Sequence, residues 1–379
     1  LIAGTKYLYF SADGEFVFGG SPTSFDMIVG VRSRGTAPAY GGLYYQAGVT
    51  QDESQLGNGS AELNTYYGAF KANAGLLLVQ QRMLSVFQNN PLDSTYSDSY
   101  TLKSDGTYDD ANNHYIFGAG GAIRIGVGKN PSIGLNVALQ APGFNGTGVF
   151  IDPTGVVNAA SSALFTAGVA PGELISIYGA NLSSAVLSDA NFPATLGGVQ
   201  VLVNNRPAPI FTVSPNQISA VVPFATTEQI ASIQVVNNGT PSNTVTLYVN
   251  LTAPGVFTNP SGGIGYAAAL HSNFSVITPS SPAQVGETIS IFLTGLGAVT
   301  PAVVDGAPGP TSPLSMVISP ITVYIGGKQV ASTFSVLAPQ LIGLYQINVQ
   351  VPAGVASGNA VLEIRGPDFF TSQAYIPIQ

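Results

Sequence analysis

Hydrophobic and polar positions alternate along most of this chain, with Gly, Pro, Asn and Asp at the breaks. A period of two predicts strands rather than helices. Its plainest instance occurs twice. Pro171-Gly172-Glu173-Leu174-Ile175-Ser176-Ile177-Tyr178-Gly179-Ala180-Asn181-Leu182 returns as Val285-Gly286-Glu287-Thr288-Ile289-Ser290-Ile291-Phe292-Leu293-Thr294-Gly295-Leu296, offset by 286 − 172 = 114 residues. Residues 217–223 return as 346–352, and 199–203 with Asn204-Asn205-Arg206 as 321–325 with Gly326-Gly327-Lys328. Two homologous units of roughly a hundred residues follow, a usual domain size.

Ahead of the repeat, Lys6-Tyr7-Leu8-Tyr9-Phe10 and Glu15-Phe16-Val17-Phe18 flank Ala12-Asp13-Gly14, a hairpin signal. Further strands are predicted at 25–31, 42–49, 64–70, 96–102, 115–117, 122–127 and 133–139, with a second hairpin at Ser104-Asp105-Gly106. Residues 76–87 suit a helix by propensity, but they sit among strands without a cap of their own, and a strand is the reading adopted. Residues 151–158 read as a linker. The expected organisation is all-β. An aromatic-rich N-terminal β domain, barrel or sandwich, spans 1–152, and two immunoglobulin-like sandwiches span 153–251 and 252–379. The Cys…Trp…Cys core of antibody domains is missing, so apolar packing alone must join the sheets.

Several motifs carry a resemblance. Val157-Asn158-Ala159-Ala160-Ser161, Ala170-Pro171-Gly172-Glu173, Gly179-Ala180-Asn181-Leu182, Leu196-Gly197-Gly198-Val199, Val213-Ser214-Pro215-Asn216-Gln217-Ile218, Ala253-Pro254-Gly255-Val256-Phe257, Thr294-Gly295-Leu296-Gly297 and Gly343-Leu344-Tyr345-Gln346-Ile347-Asn348-Val349 follow one another in order. Together they resemble the uncharacterised C-terminal domain family of exported acidobacterial proteins, the Solibacter type, over about 157–379. That family is similar to tandem immunoglobulin-like domains of the transcription-factor type. The resemblance implies an exported bacterial protein built of β-sandwich modules. It has no assigned activity, so it carries over no functional residue, and it does not reach the first 150 residues.

Composition sharpens the picture. Only 8% of the 379 residues are charged, and 45% are hydrophobic. A weakly charged surface repels its copies little and favours association. Net charge is −8 with no basic stripe, which argues against nucleic acid. Absence of Cys removes disulfides, thiolate metal sites and Cys catalysis. No apolar run approaches the ~20 residues of a membrane-spanning helix. The chain begins at Leu1, as either signal-peptide removal or an artificial boundary would leave it. A secreted or cell-surface location is expected.

Reactive constellations are sparse. His114 and His271 fall in different predicted domains, and no Gly-x-Ser-x-Gly elbow occurs. Glu173 and Glu287 repeat, which suggests carboxylates that accept hydrogen bonds from a turn. Asp105, Asp109 and Asp110, with Asn112 and Asn113, form the densest acidic cluster and the one weak Ca²⁺ candidate. Their spacing is not that of an EF-hand, and Asp and Asn are ordinary turn residues. Gly118-Ala119-Gly120-Gly121 precedes a strand and so is no dinucleotide fingerprint. No catalytic, cofactor or metal residue is assigned, and no enzymatic activity is expected.

The function expected is that of a structural subunit of an extracellular bacterial filament or surface assembly. Its partners are copies of itself, joined by addition of a terminal strand to a neighbour's sheet. The residues that would carry this are Ile2, Tyr7, Leu8, Tyr9 and Phe10 at one end and Tyr375, Ile376 and Ile378 at the other, with the N-terminal strand as donor. The alternative is an adhesin or glycan-binding protein. It rests on the tyrosines of the first domain, Tyr40, Tyr44, Tyr45, Tyr66, Tyr67, Tyr96 and Tyr100.

Overall fold

The computed structural model describes residues 6–21, 23, 26–52, 62–85, 92–129, 133–141, 144, 146–162, 168–263, 265–330, 332–368 and 370–379. The chain divides into two compact units, Leu1–Gly143 and Phe144–Gln379. Both are built from strands; a short 3₁₀ turn at Ala119–Gly121 is the one helical element among the described residues. Among those residues no helix is long and apolar enough to cross a membrane.

The first unit opens with a three-stranded antiparallel sheet: β1 (Tyr7–Phe10), β2 (Phe16–Gly20) and β3 (Ile28–Val31), with β2 in the middle. The β1–β2 hairpin closes at the expected Asp13-Gly14, where Gly14 takes φ 69°. Next come β4 (Gly42–Asp52), β5 (Glu62–Asn73), β6 (Leu76–Ser85), β7 (Leu92–Ser99), β8 (Thr101–Leu102), β9 (Tyr108–Asp109), β10 (Asn113–Gly118), β11 (Ile123–Gly128) and β12 (Ile133–Gln140). They form one nine-stranded sheet in the order β7-β6-β5-β4-β12-β11-β10-β9-β8. Its two edge strands are neighbours in the chain, separated by Tyr100 alone, so the sheet curls into a nearly closed barrel. The β6 reading holds over 76–85: Ala74 and Gly75 reverse the chain in left-handed conformations and β5 and β6 pair along their length.

The second unit holds two β-sandwiches. In the first, one sheet joins strands 150–158, 174–180, 217–221, 210–213 and 187–188, and the other joins 206–207, 199–203, 230–237 and 240–241, with 245–248 also on 230–237. Alternate positions fill the space between them: Ile175 and Ile177, Val199 and Val201, Ile233 and Val235 are wholly buried. Burying each such side chain stabilises by about 1.5–3 kcal/mol, which makes a sandwich without disulfides workable. Residues 150–158 form a strand, not the linker expected. Asp152-Pro153-Thr154-Gly155 fall in a bulge, where the register against 174–180 shifts between Ile151 and Val156. Proline is tolerated at a bulge because no ladder donor is needed there.

The second sandwich repeats the plan, with core residues Ile289, Ile291, Ile347, Val349, Leu362 and Ile364. Its last strand, Phe370–Ile378, lies inside its sheet, antiparallel to 358–365 and parallel to 265–267.

Candidate functional site

Two features of the first unit are candidates for a functional site. The first is the edge of the small sheet. Tyr7, Tyr9 and Phe10 on β1 are exposed, Phe18 of β2 stacks on Tyr9, and no described strand pairs with the outer side of β1. Leu8, between them, is half-buried. Ile2 lies outside the described residues. At the other terminus, Ile376 and Ile378 are buried in their own core and Tyr375 pairs with Tyr266 and Val361 across two neighbouring strands. That strand has a neighbour on each side, 358–365 along its length and 265–266 at Ala374 and Tyr375, so it is not an edge strand there.

The second feature is the concave face of the barrel, built by a period of two from facing strands. Tyr44 opposes Phe70, Gln46 opposes Gly68, and Gly48 opposes Tyr66. Arg124 opposes Ala138, and Gly126 opposes Asn136. The closed end is an aromatic floor. Tyr40 sits at its centre, with Tyr44, Phe70, Tyr100, Tyr108 and Phe117 around it. Three of the floor hydroxyls donate to carbonyls, Tyr44 to Gly121 at 2.9 Å, Tyr100 to Tyr40 at 2.7 Å and Tyr108 to Pro38 at 2.8 Å, and the Tyr40 hydroxyl accepts from Arg124. Burial holds the phenols of Tyr40 and Tyr44 up at about 12.

Above the floor the lining turns polar. The Arg124 guanidinium is sandwiched between the rings of Phe70 and Tyr115, 4.3 Å from each centroid. Tyr115 donates to Asp110, whose carboxylate also takes the backbone N–H groups of Asn112 (2.8 Å) and Asn113 (2.6 Å). Burial raises the Tyr115 phenol far above its ordinary range. Two adjoining cavities open here. The inner, about 220 Å³, is lined by Arg124, Asn136, Gln46, Asp110 and Tyr115 among others; the outer, about 250 Å³, by Thr50, Gln81, Met83, Gly128 and Gly134; Tyr66, Tyr96, Asn112 and Asn113 belong to both. Glycines make the room. A methyl group on Gly48 would lie 2.6 Å from the Tyr66 ring, and one on Gly126 2.5 Å from the Asn136 amide.

Of the tyrosines singled out from the sequence, Tyr40, Tyr44 and Tyr100 are floor, and Tyr66 and Tyr96 line the cavities. Tyr45 and Tyr67 oppose Ala69 and Ala47, at the alternate positions of β4 and β5. Arg124 escaped the sequence reading. Its partners Tyr40 and Gln46 lie 84 and 78 residues away, and nothing local marks it.

The acidic cluster does not converge. Asp105 caps its own turn through Thr107 N (3.0 Å) and Oγ1 (2.6 Å). Asp109 meets His114 Nδ1 at 2.7 Å and the ammonium groups of Lys103 and Lys129 at 3.7 and 3.6 Å, and the His114 bond holds its carboxyl below the usual range. Asp110 is spent on the bonds above. Among the described residues no three His, Cys, Asp or Glu side chains stand close enough to hold a metal ion.

In the last sandwich, His271 contacts two groups from the segment that follows it. Its Nδ1 lies 2.7 Å from Glu287, and its Nε2 lies 3.2 Å from Ser281 Oγ and 3.1 Å from the Ser281 carbonyl. The contacts outline a Ser-His-Glu row, but the carbonyl competes for Nε2 and Ser281 N donates to Thr278 O. The row reads as a staple across the turn.

Residues 161–252 match the IPT/TIG domain, an immunoglobulin-like fold; the match takes in the first sandwich except its strand 150–158. No curated protein matches the chain. Among solved structures it is similar to the full extracellular region of plexin A4, domains 1 to 8, at 8% identity and a TM-score of 0.15. That alignment covers 98% of this chain and 56% of the plexin chain, so the chain spans a little over half the plexin's length. A likeness of that strength bears on neither fold nor function.

Proposed function

We propose that this chain is a structural subunit of an extracellular bacterial assembly, joined to neighbouring copies by β-strand addition along β1. The observation that carries the reading is the open, aromatic edge of β1. An unpaired row of N–H and C=O groups is a template for another strand, and native edges are ordinarily blunted with charge. Here the outward residues are Tyr7, Tyr9 and Phe10, and the chain has few charges to spend. Immunoglobulin-like modules in series suit an extended subunit, and the resemblance to exported acidobacterial proteins supports an extracellular place. Pairing of β1 with a different edge of the next copy propagates; pairing with a second β1 closes a dimer. Negative-stain microscopy and sedimentation of the full chain test this. Fibres or concentration-dependent oligomers that Tyr9→Lys with Phe10→Lys abolishes are expected; a wild-type chain that stays monomeric at high concentration refutes the reading.

The paired cavities favour a second reading, a binding protein whose barrel takes a saccharide against Tyr66 and Tyr96. Aromatic walls with convergent amides and hydroxyls are what a ring with hydroxyls on its edge requires. Glycan-array binding that Tyr66→Ala and Tyr96→Ala weaken is the expected result.

A further inference from the structure

Arg124 is 2% exposed, and it is the most deeply placed cation of the barrel. Nη1 donates to Tyr40 Oη at 2.7 Å, and Nη2 donates to Gln46 Oε1 at 3.1 Å and Asn136 Oδ1 at 2.7 Å. All three acceptors are neutral. The faces of the guanidinium are covered by Phe70 and Tyr115, and Nε has no partner in the described protein. Asp110 and Asp98 also border the inner cavity, but neither bonds Arg124: Asp110 is occupied by Asn112, Asn113 and Tyr115, and Asp98 accepts from Ser99 N at 2.7 Å. A cation withdrawn from water without an anion in contact is costly, several kcal/mol per ion even after relaxation. A guanidinium edge offering a spare N–H matches a carboxylate better than any neutral acceptor.

We propose that the barrel binds an acidic saccharide and that the inner cavity seats its carboxylate against Arg124. The proposal rests on the saccharide reading above. A water's share of liquid is about 30 Å³, so each cavity holds roughly seven or eight waters' volume, the scale of one sugar ring. The two meet at Tyr66 and Tyr96, which places the acidic ring inside and a second ring at the mouth, with the tyrosines as shared walls. Asn112 and Asn113 lie at the same junction, within reach of ring hydroxyls.

The test is calorimetric titration of the full chain with digalacturonate, and with the same disaccharide after its carboxyls have been reduced to primary alcohols. Binding of the acidic form at least tenfold tighter than the reduced form is expected. Arg124→Gln brings the two forms to equal affinity, and Tyr96→Ala weakens both while keeping their ratio. Arg124 also braces the barrel, so the acid-to-reduced ratio on the wild-type chain is the arm that needs no variant. Equal affinity of the wild-type chain for the two forms overturns the acidic inference and leaves the saccharide reading standing. Failure to bind either form, or any member of a glycan array, overturns both.

Discussion

Glu173 and Glu287 hold the same turn in successive sandwiches. Each carboxylate accepts the backbone N–H three residues before it, from Ala170 at 2.7 Å and from Gln284 at 3.0 Å. Each second oxygen meets a side chain from the adjoining segment, Asn158 Nδ2 at 2.9 Å and His271 Nδ1 at 2.7 Å. The surrounding backbone bonds recur too: Val222 N to Glu173 O and Val351 N to Glu287 O, both 2.8 Å. Cover distinguishes them. The second sandwich packs over the first through Thr294, whose Oγ1 accepts Leu174 N and donates to Gly343 O, both at 2.7 Å. Glu173 is sealed completely beneath that joint, while the Glu287 side chain keeps 17% of its surface exposed.

Burial pushes the Glu173 carboxyl up to about 8, against the N–H donors of Ala170 and Asn158, which pull it down. A raised folded-state value favours the protonated form. The stability it contributes is full below its ordinary 4.5 and declines as pH rises toward about 8. Melting of the second unit followed from pH 4 to 9 should therefore fall through that window, and Glu173→Gln should flatten the fall. An identical pH profile in the variant would show that Glu173 is not the group titrating.

Glu287 behaves in the opposite sense. Burial raises its carboxyl, but the bonds from Gln284 and His271 outweigh it and the net shift is downward. The contribution is present above its ordinary value and lost as pH falls. His271→Ala should cost ~1 kcal/mol, the usual worth of one such bond, and should reduce the acid sensitivity of the second unit. Thermal melts at pH 3 to 6 measure both.

At the joint, Thr294→Val keeps the shape and removes the oxygen that Leu174 N and Gly343 O both use. Tyr345→Phe removes a hydroxyl that donates to Gly297 O at 2.6 Å. A buried backbone donor left unsatisfied costs about 1–3 kcal/mol. Calorimetry should show a lower transition in each variant, with the two sandwiches beginning to melt apart in Thr294→Val.

Gly126→Ala places a methyl 2.5 Å from the Asn136 amide, which in turn holds Arg124. Overpacking of this kind costs roughly 1–3 kcal/mol. The first unit should melt earlier and the second should be unchanged, which near-ultraviolet circular dichroism of the tyrosine-rich barrel can follow separately.

Much of this was legible along the chain. Both early hairpins announce themselves through Asp-Gly, and Glu173 and Glu287 do accept from a turn as their repetition suggested. Residues 151–158 misled because Pro153 and Gly155 signal a break, and a bulge uses the same residues as a linker. The final strand misled for another reason. Alternation tells that Ile376 and Ile378 face a core, but an edge strand and a central strand alternate alike.

The sequence by itself determined what is periodic and local: strands, turns, the duplication, and a surface poor in charge. Only the tertiary structure decided which strands have free edges, which alternate set of tyrosines faces inward, and that Arg124 stands among aromatic rings. Those depend on which strands become neighbours, and strand partners can be far apart in the chain, as Tyr44 and Gln140 are across the barrel sheet and Gly265 and Ala374 in the last sandwich.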